Sequence, residues 1–352
     1  MKYDNHNKPI KRLRLDPPLL YGHTVLGTVF SIIKPKDLPW IYSHFSQVMY
    51  HNEWQMIIFE EQIRLLEMCP FLQTHYIYYD EALYTCSSFS DMIMYLIDND
   101  YYVYLFLDNK YIFPDRFKQN FAHTTLISGF DKIKNVFYLS DNYNMGKFTT
   151  IEVNMETVEK AFYSAWTAPV GNANDNDTSR DMTYLKGFYY FKYNEDVVFK
   201  FDSLNFTKQL RSYLDCTSIF MFGYKSTISY GCSIYELTIK HLANKNNIIL
   251  GIKDFHLLYE HKLLMIKRLE YIINQNIILC DENYVNRANE ICNELLIIRN
   301  LFIKQMISNS NEKERLIIDI CNRLNNVNQK EKKLLGEVLF KIETSLKNKP
   351  IT

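Results

Sequence analysis

His123 and Asp141 are the residues of this chain whose types and setting suit proton transfer. His123 stands at the start of the apolar run Phe121 to Phe130, FAHTTLISGF, which predicts a buried strand. Asp141 closes a second run, Val136 to Ser140, and is followed by Asn142, Tyr143 and Asn144. The short connection from Asp131 to Asn135 joins the two runs as a hairpin. In that hairpin a carboxylate or amide at the end of the second strand can meet an imidazole at the start of the first, hold one tautomer and stabilise the imidazolium. This is the pairing of a general base with its orienter. A backbone-bonded histidine beside an Asp-Asn turn has the same sequence, so the pairing means chemistry only if the surrounding elements build a site around it.

Those elements read as helices first and sheet second. Thr24 to Ile33 predicts a buried helix opening after Tyr21-Gly22-His23 and stopped by Pro35 and Pro39, and Trp40 to Tyr50 predicts a second. Phe89 to Asp98 carries Met92, Ile93, Leu96 and Ile97 on a helical stripe, with Ser87, Ser88 and Ser90 as cap candidates. Strands are predicted at Tyr101 to Leu107, Tyr111 to Phe113, the His123 run, the Val136 run and Lys147 to Val153, and a helix at Met155 to Trp166. Short turns between consecutive strands imply one antiparallel sheet with the helices of residues 24 to 100 on one face, an α+β arrangement.

The polar stretch Gly171 to Asp181, GNANDNDTSRD, marks the boundary. The expected division is an α+β domain at 1–170, a linker at 171–186 and a mainly helical domain at 187–352. Gly187 to Phe201 predicts a hairpin turning at Asn194-Glu195-Asp196, and its sequence leaves open which unit it joins. Beyond Phe206 the pattern is helical. Tyr284, Ala288, Ile291, Leu295, Ile298, Phe302 and Met306 keep three-four spacing; Leu258 to Ile272, Leu316 to Leu324 and Leu335 to Leu346 mark three more bundle helices.

Composition narrows the function. The chain has 352 residues, 47% of them hydrophobic, and its 40 basic and 40 acidic side chains cancel. Zero net charge gives no bulk attraction to nucleic acid or anionic membrane. No signal-peptide pattern follows Lys11, Arg12 and Arg14, and no run is apolar enough to span a bilayer, so a cytoplasmic protein is expected. The seven cysteines form no C-x-x-C pair and no zinc spacing, which predicts reduced thiols. His256, Glu260 and His261 share a helix, but only the first two are spaced to face the same way, so a structural role is expected and no metal site. Ten glycines and no phosphate-binding loop exclude nucleotide-dependent ligation, and no cofactor is expected. The 27 tyrosines and 23 phenylalanines fill a core or wall an acyl tunnel. Abundant Tyr, Asn, Ile and Lys look like the coding bias of an AT-rich bacterial genome.

Helices, then a histidine strand, then an aspartate or asparagine strand, is the chain order of papain-fold enzymes. The first half resembles the bacterial papain-fold group that includes butirosin biosynthesis protein H and the closthioamide-type amide-forming enzymes. The resemblance rests on YGHTVLGTVFSII, Pro39-Trp40-Ile41, Cys69-Pro70, YYVYLFLDNKYI from Tyr101, and FAHTTLISGF followed by YLSDN. In the second half YGCSIYEL from Tyr230 and YEHKLLMIKRLEYI from Tyr259 look like the helical extension of uncharacterised members. The resemblance implies a papain-like domain. It also implies acyl or aminoacyl transfer to an amine from a thioester on the phosphopantetheine arm of an acyl or peptidyl carrier protein. His123 would be the base and Asp141 its orienter, with Asn142 as the alternative third member.

The family's cysteine, which opens the first helix, has no counterpart: this chain reads His23-Thr24-Val25 there. Three alternatives stay open. Thr24 serves as an oxygen nucleophile, Cys86 reaches in from the loop ahead of Phe89, or there is no covalent step and His23 and His123 share acid and base work. The expected function is an acyltransferase or amide-forming enzyme of secondary metabolism. The alternatives are a non-catalytic accessory protein on the same fold and, third, a cysteine-peptidase-like hydrolase.

Overall fold

The computed structural model describes residues 8–85, 88–167, 187–220, 227–243, 249–278 and 283–347. The chain begins with β1 (Ile10–Arg12), α1 (Thr24–Ile32), α2 (Leu38–Ser43), β2 (Val48–His51), β3 (Met56–Phe59), α3 (Leu65–Met68), β4 (Leu72–Tyr78), α4 (Tyr79–Thr85) and α5 (Phe89–Asp98). It continues with β5 (Tyr102–Asp108), α6 (Asn109–Ile112), β6 (Ala122–Asp131), β7 (Val136–Asn144), β8 (Lys147–Asn154), α7 (Met155–Thr167) and β9 (Gly187–Tyr193). Then come α8 (Ser203–Leu214), β10 (Thr227–Tyr230), α9 (Ser233–Leu242), α10 (Ile252–Asn274), α11 (Asn283–Ile307) and α12 (Ser310–Lys347). The fold is α+β, and the chain forms two compact units, Met1–Lys34 with Arg64–Val197, and Pro35–Ile63 with Val198–Thr352.

The first unit is built on a seven-stranded antiparallel sheet in the order β4-β9-β5-β6-β7-β8, with β1 also paired to β6. β5 covers one edge of β6 from Ala122 to Ile127, and β1 takes the stretch of β6 from Gly129 to Asp131. Gly129 permits this close approach, since a Cβ there would lie 2.6 Å from the Lys11 carbonyl oxygen. Helix α1 is apolar almost all round and eight of its nine residues are buried, as a helix enclosed by its own unit requires. Gly27 lets it press on β8, because a Cβ at that position would meet the Phe148 ring at 2.3 Å. α5 starts at Ser88, whose hydroxyl accepts from the Asp91 amide at 3.1 Å, as the cap signal predicts. Phe89 of α5 stacks on Phe162 of α7 with ring centroids 4.0 Å apart.

The second unit combines the three-stranded sheet β10-β2-β3 with α2 and α8 to α12, of which α10 to α12 form a helical bundle. Its interior carries charge. Lys262 of α10 and Glu331 of α12, each 2% exposed, pair at 2.5 Å, and the hydroxyls of Tyr213 and Tyr235 donate to the same carboxylate at 2.9 and 2.7 Å. Arg268, fully buried, donates Nε to the Tyr42 carbonyl at 2.6 Å and Nη2 to the His44 carbonyl. Burial lowers the Arg268 guanidinium to about 9. Arg268 thus closes the C-terminal end of α2, where backbone carbonyls lack helical partners.

Several expectations change. The division expected near residue 170 gives way to interleaved units: residues 35–63 belong with the helical half, and β9 lies between β4 and β5 in the first sheet. Gly187 to Phe201 is a single strand followed by irregular chain rather than a hairpin. Trp40 to Tyr50, expected as one helix, is the end of α2 and most of β2. Tyr111 to Phe113, expected as a strand, begins within the short helix α6. The stripes at Leu316 and Leu335 are one 38-residue helix, α12. The linker expected at 171–186 lies outside the described residues. Among the described residues no helix is long and apolar enough to cross a membrane.

Candidate functional site

The β6–β7 hairpin positions the dyad. Its turn is fixed by Asp131, whose Oδ1 accepts from the amides of Ile133 at 2.9 Å and Lys134 at 3.0 Å, and by Asn135 in the left-handed region at φ 57°. The register pairs Leu126 with Ser140, and one further step sets Asp141 across from Thr125. His123, two residues along, lies on the same face as Thr125 and becomes the diagonal neighbour of Asp141. His123 Nδ1 reaches Asp141 Oδ2 at 2.8 Å and the Thr124 carbonyl oxygen at 3.1 Å. Two acceptors on Nδ1 assign the proton to that nitrogen, so Nε2 is the basic atom of the neutral ring. The imidazole is 31% exposed and the carboxylate 4%.

The loop leading into β6 is held by Asp108. Its Oδ1 accepts from the amides of Lys110 at 3.0 Å and Phe121 at 2.9 Å, and its Oδ2 from the Ser164 hydroxyl at 2.7 Å. Residues 109–121 therefore leave and rejoin the sheet at fixed points, and Leu107 lies opposite His123 in the β5–β6 ladder. Phe121, 45% exposed, stacks on His123 at 5.8 Å, and Phe117 stacks on Phe121 at 4.9 Å. The two phenylalanine rings extend in a row from the half-buried imidazole.

Asp141 is the centre of the site. Besides His123 it binds Thr24, whose hydroxyl donates to Oδ1 at 2.5 Å, and the Asn142 amide, which donates to the same oxygen at 2.6 Å. Thr24 is the first residue of α1 and 6% exposed. The order of contacts is thus Thr24, Asp141, His123, with the carboxylate in the middle. A nucleophile–base–orienter relay needs the imidazole in the middle. In this arrangement the Thr24 proton faces the carboxylate, so Thr24 acts on the orientation of Asp141.

Asn142 does not take the orienter position. Its Nδ2 donates to the Tyr21 carbonyl at 2.8 Å and ties β7 to the segment preceding α1, while its buried Oδ1 has no hydrogen-bond partner among the described residues. His23 is the N-cap residue of α1, in extended conformation and half-buried, with no side-chain cap bond. Cys86 lies outside the described residues. Cys69, the first cysteine in the sequence, is 2% exposed at the end of α3.

Two tyrosines complete the surroundings. Burial raises the Tyr104 hydroxyl, which the bond to Thr124 opposes and the Asp141 charge reinforces. Burial and then Asp141 raise the Tyr143 hydroxyl, which is 2.8 Å from Thr125 Oγ1. Both stay neutral at physiological pH and add no anion beside Asp141. Sequence reasoning missed them, although Tyr143 lies two residues beyond Asp141 on the same strand, and period two was the signal for it. Asp108 carried no such signal because its three partners lie up to 56 residues away.

Among the described residues no group of three His, Cys, Asp or Glu could hold a metal ion. His256 Nε2 and Glu260 are 3.4 Å apart on α10, and Arg299 of α11 lies 3.1 Å from His256 Nδ1, an arrangement of helix-packing polar contacts. No protein-family model matches the chain, and no curated protein matches it.

Proposed function

We propose that the first unit is a papain-like domain whose His123–Asp141 dyad acts as a general base in acyl transfer from a thioester to an amine, without an acyl-enzyme. The observation that carries this reading is the bridging carboxylate. Asp141 fixes Nδ1–H of His123 and leaves Nε2 at the partly exposed end of the chain of contacts, while the hydroxyl of Thr24 is spent on Asp141. A papain-like architecture is supported by the start of α1 meeting the aspartate strand and by the His123 strand lying next to it.

In the proposed step the amine nitrogen attacks the thioester carbonyl and forms the C–N bond. Nε2 takes the ammonium proton from the tetrahedral adduct, the C–S bond breaks, and the imidazolium returns the proton to the departing thiolate. The products are an amide and a thiol. The Phe117–Phe121 ring row would line the acyl group. The thioester donor would be the phosphopantetheine arm of an acyl or peptidyl carrier protein, as the resemblance implies, with a small amine as acceptor. His23, at the cap of α1, is the candidate acid toward the carbonyl oxygen.

The test uses the full chain with N-acetylcysteamine thioesters and a panel of amines, following thiol release and amide formation. His123→Ala and Asp141→Asn are expected to lower turnover by about a hundredfold or more, and His23→Ala by less. Unchanged turnover in His123→Ala would overturn the reading. The accessory-protein alternative is favoured by the commitment of Thr24 to Asp141, since among the described residues no hydroxyl or thiol is then hydrogen-bonded to the imidazole. It predicts thioester binding without thiol release in the wild-type chain.

A further inference from the structure

The structure assigns Cys216 and Cys232 as a reversible dithiol–disulfide pair, a modification site in the second unit that is independent of the proposed acyl-transfer site. Their sulfurs are 3.4 Å apart. The two thiols converge on one acceptor, the Leu214 carbonyl oxygen, at 3.7 Å from Cys216 and 3.3 Å from Cys232. A disulfide needs a sulfur separation of about 2.05 Å, so bond formation asks for an approach of about 1.4 Å, within reach of a side-chain rotation.

The backbone holds the pair in this position from both sides. Cys216 follows the C-cap of α8 in the left-handed region at φ 56°, which turns the chain back. Cys232 is the N-cap of α9, and its amide donates to the Tyr213 carbonyl of α8 at 3.1 Å. Gly231 makes that contact achievable: its φ is 54°, and a Cβ would lie 2.1 Å from the Tyr213 oxygen. The end of α8 and the start of α9 are thus joined before any covalent bond forms.

Exposure assigns the two roles. Cys216 is half-buried and meets solvent, whereas Cys232 is fully buried. Burial, followed by the neighbouring Cys216 thiol, raises the Cys232 thiol to about 12, which suits a resolving sulfur rather than the one that meets an oxidant. With a hydroperoxide as oxidant, Cys216 sulfur attacks the peroxide oxygen, the O–O bond breaks, and a sulfenic acid and one water (or alcohol) result. Cys232 sulfur then attacks the sulfenic sulfur, the S–S bond forms and a second water leaves. Two thiols lose two electrons and two protons, and the peroxide gains them. A dithiol reductant reverses the bond by exchange.

The full-length protein is treated with hydrogen peroxide, denatured, alkylated and digested without reduction. The expected result is a cross-linked peptide pair joining Cys216 to Cys232, with alkylated thiols falling from seven to five per chain and recovering with dithiothreitol. Cys216→Ser and, as a second variant, Cys216→Ala should each lose the cross-link, while Cys321→Ser should keep it; circular dichroism checks that each variant is folded. Sulfinic or sulfonic acid at Cys216 without the cross-link, or a cross-link to another cysteine, overturns the assignment. Seven alkylated thiols after peroxide treatment overturn it equally.

Discussion

Thr24→Val separates the two roles that a hydroxyl beside Asp141 can play. Valine keeps the branched shape at the first position of α1 and removes only the donor, so the buried carboxylate retains His123 Nδ1 and the Asn142 amide but loses its shortest side-chain partner. A hydrogen bond to a charged group contributes about 1.5–3 kcal/mol, and at 6% exposure no water replaces it easily. Urea unfolding of the variant should therefore show a loss of about 1.5–3 kcal/mol, and Thr24→Ser, which keeps the donor, should lose about 1 kcal/mol or less, from the deleted methyl. If a similar share of energy holds Asp141 against the imidazole, thioester turnover falls by about ten- to a hundredfold and stays above that of His123→Ala. A nucleophilic Thr24 predicts something different, an acyl adduct at that residue in intact-protein mass spectrometry and complete loss of turnover in the valine variant. An adduct mapped to Thr24, or a valine variant as stable as the wild type, would refute the positioning role.

Other outcomes follow from the packing. Glu331→Gln leaves the Lys262 ammonium buried without its counter-ion and should cost about 3–5 kcal/mol in chemical denaturation; pairing it with Lys262→Met should recover much of that loss, and a strictly additive double variant would show that the two do not interact. Lys262 is already lowered by burial, so the Glu331→Gln deficit should shrink as pH rises toward the ordinary lysine range, because the unfolded chain then binds more protons than the folded one. Glu61 has the opposite sense: burial raises its carboxyl to about 7 from 4.5, the folded state binds the extra proton, and stability relative to Glu61→Gln should fall by about 3 kcal/mol as pH rises through that window. Unfolding midpoints at pH 5 and 8 check the sign, and parallel curves for the two proteins would remove Glu61 as the cause. Gly27→Ala should destabilise by about 1–3 kcal/mol through the clash with Phe148, against the stabilisation of about 1 kcal/mol that helix propensity alone predicts, so the sign of the change in a thermal melt decides between packing and propensity.

The pairing of β6 with β7 was legible because a hairpin is local. The face was not: counted from the turn pair Asp131–Val136, His123 and Asp141 fall on opposite faces, and the irregularity between Ile127 and Gly129 shifts the register by one residue and brings them to the same face. The partner that defines the site was not legible, since Thr24 and Asp141 are 117 residues apart and only tertiary packing brings α1 onto β7. The helices α1, α5, α7, α10 and α11 were visible through capping and three-four spacing. The strands from Val48 to Tyr78 were not. Val48 to His51 follows an apolar helix with no break that distinguishes strand from helix, and β4 carries a tyrosine-rich face that reads as neither period. The polar run from Asn325 to Lys333 looked like a gap between two helices; it is helical because Val327 and Glu331 are buried there, and Glu331 meets Lys262 inside the unit. A buried charge pair is invisible to any scale that assigns charge to the surface.

The place of β9 has a consequence for the order in which the chain can fold. β5, β6, β7 and β8 pair with their sequence neighbours, so this meander and its dyad can assemble soon after residue 154 is made. β4, by contrast, has to wait, because its ladder is with β9, whose strand arrives more than a hundred residues later and inserts between β4 and β5. The outer part of the sheet is therefore a late, high-contact-order event, and during synthesis the tyrosine-rich edge of β4 stays unpaired, the stage at which this chain is most open to misassociation.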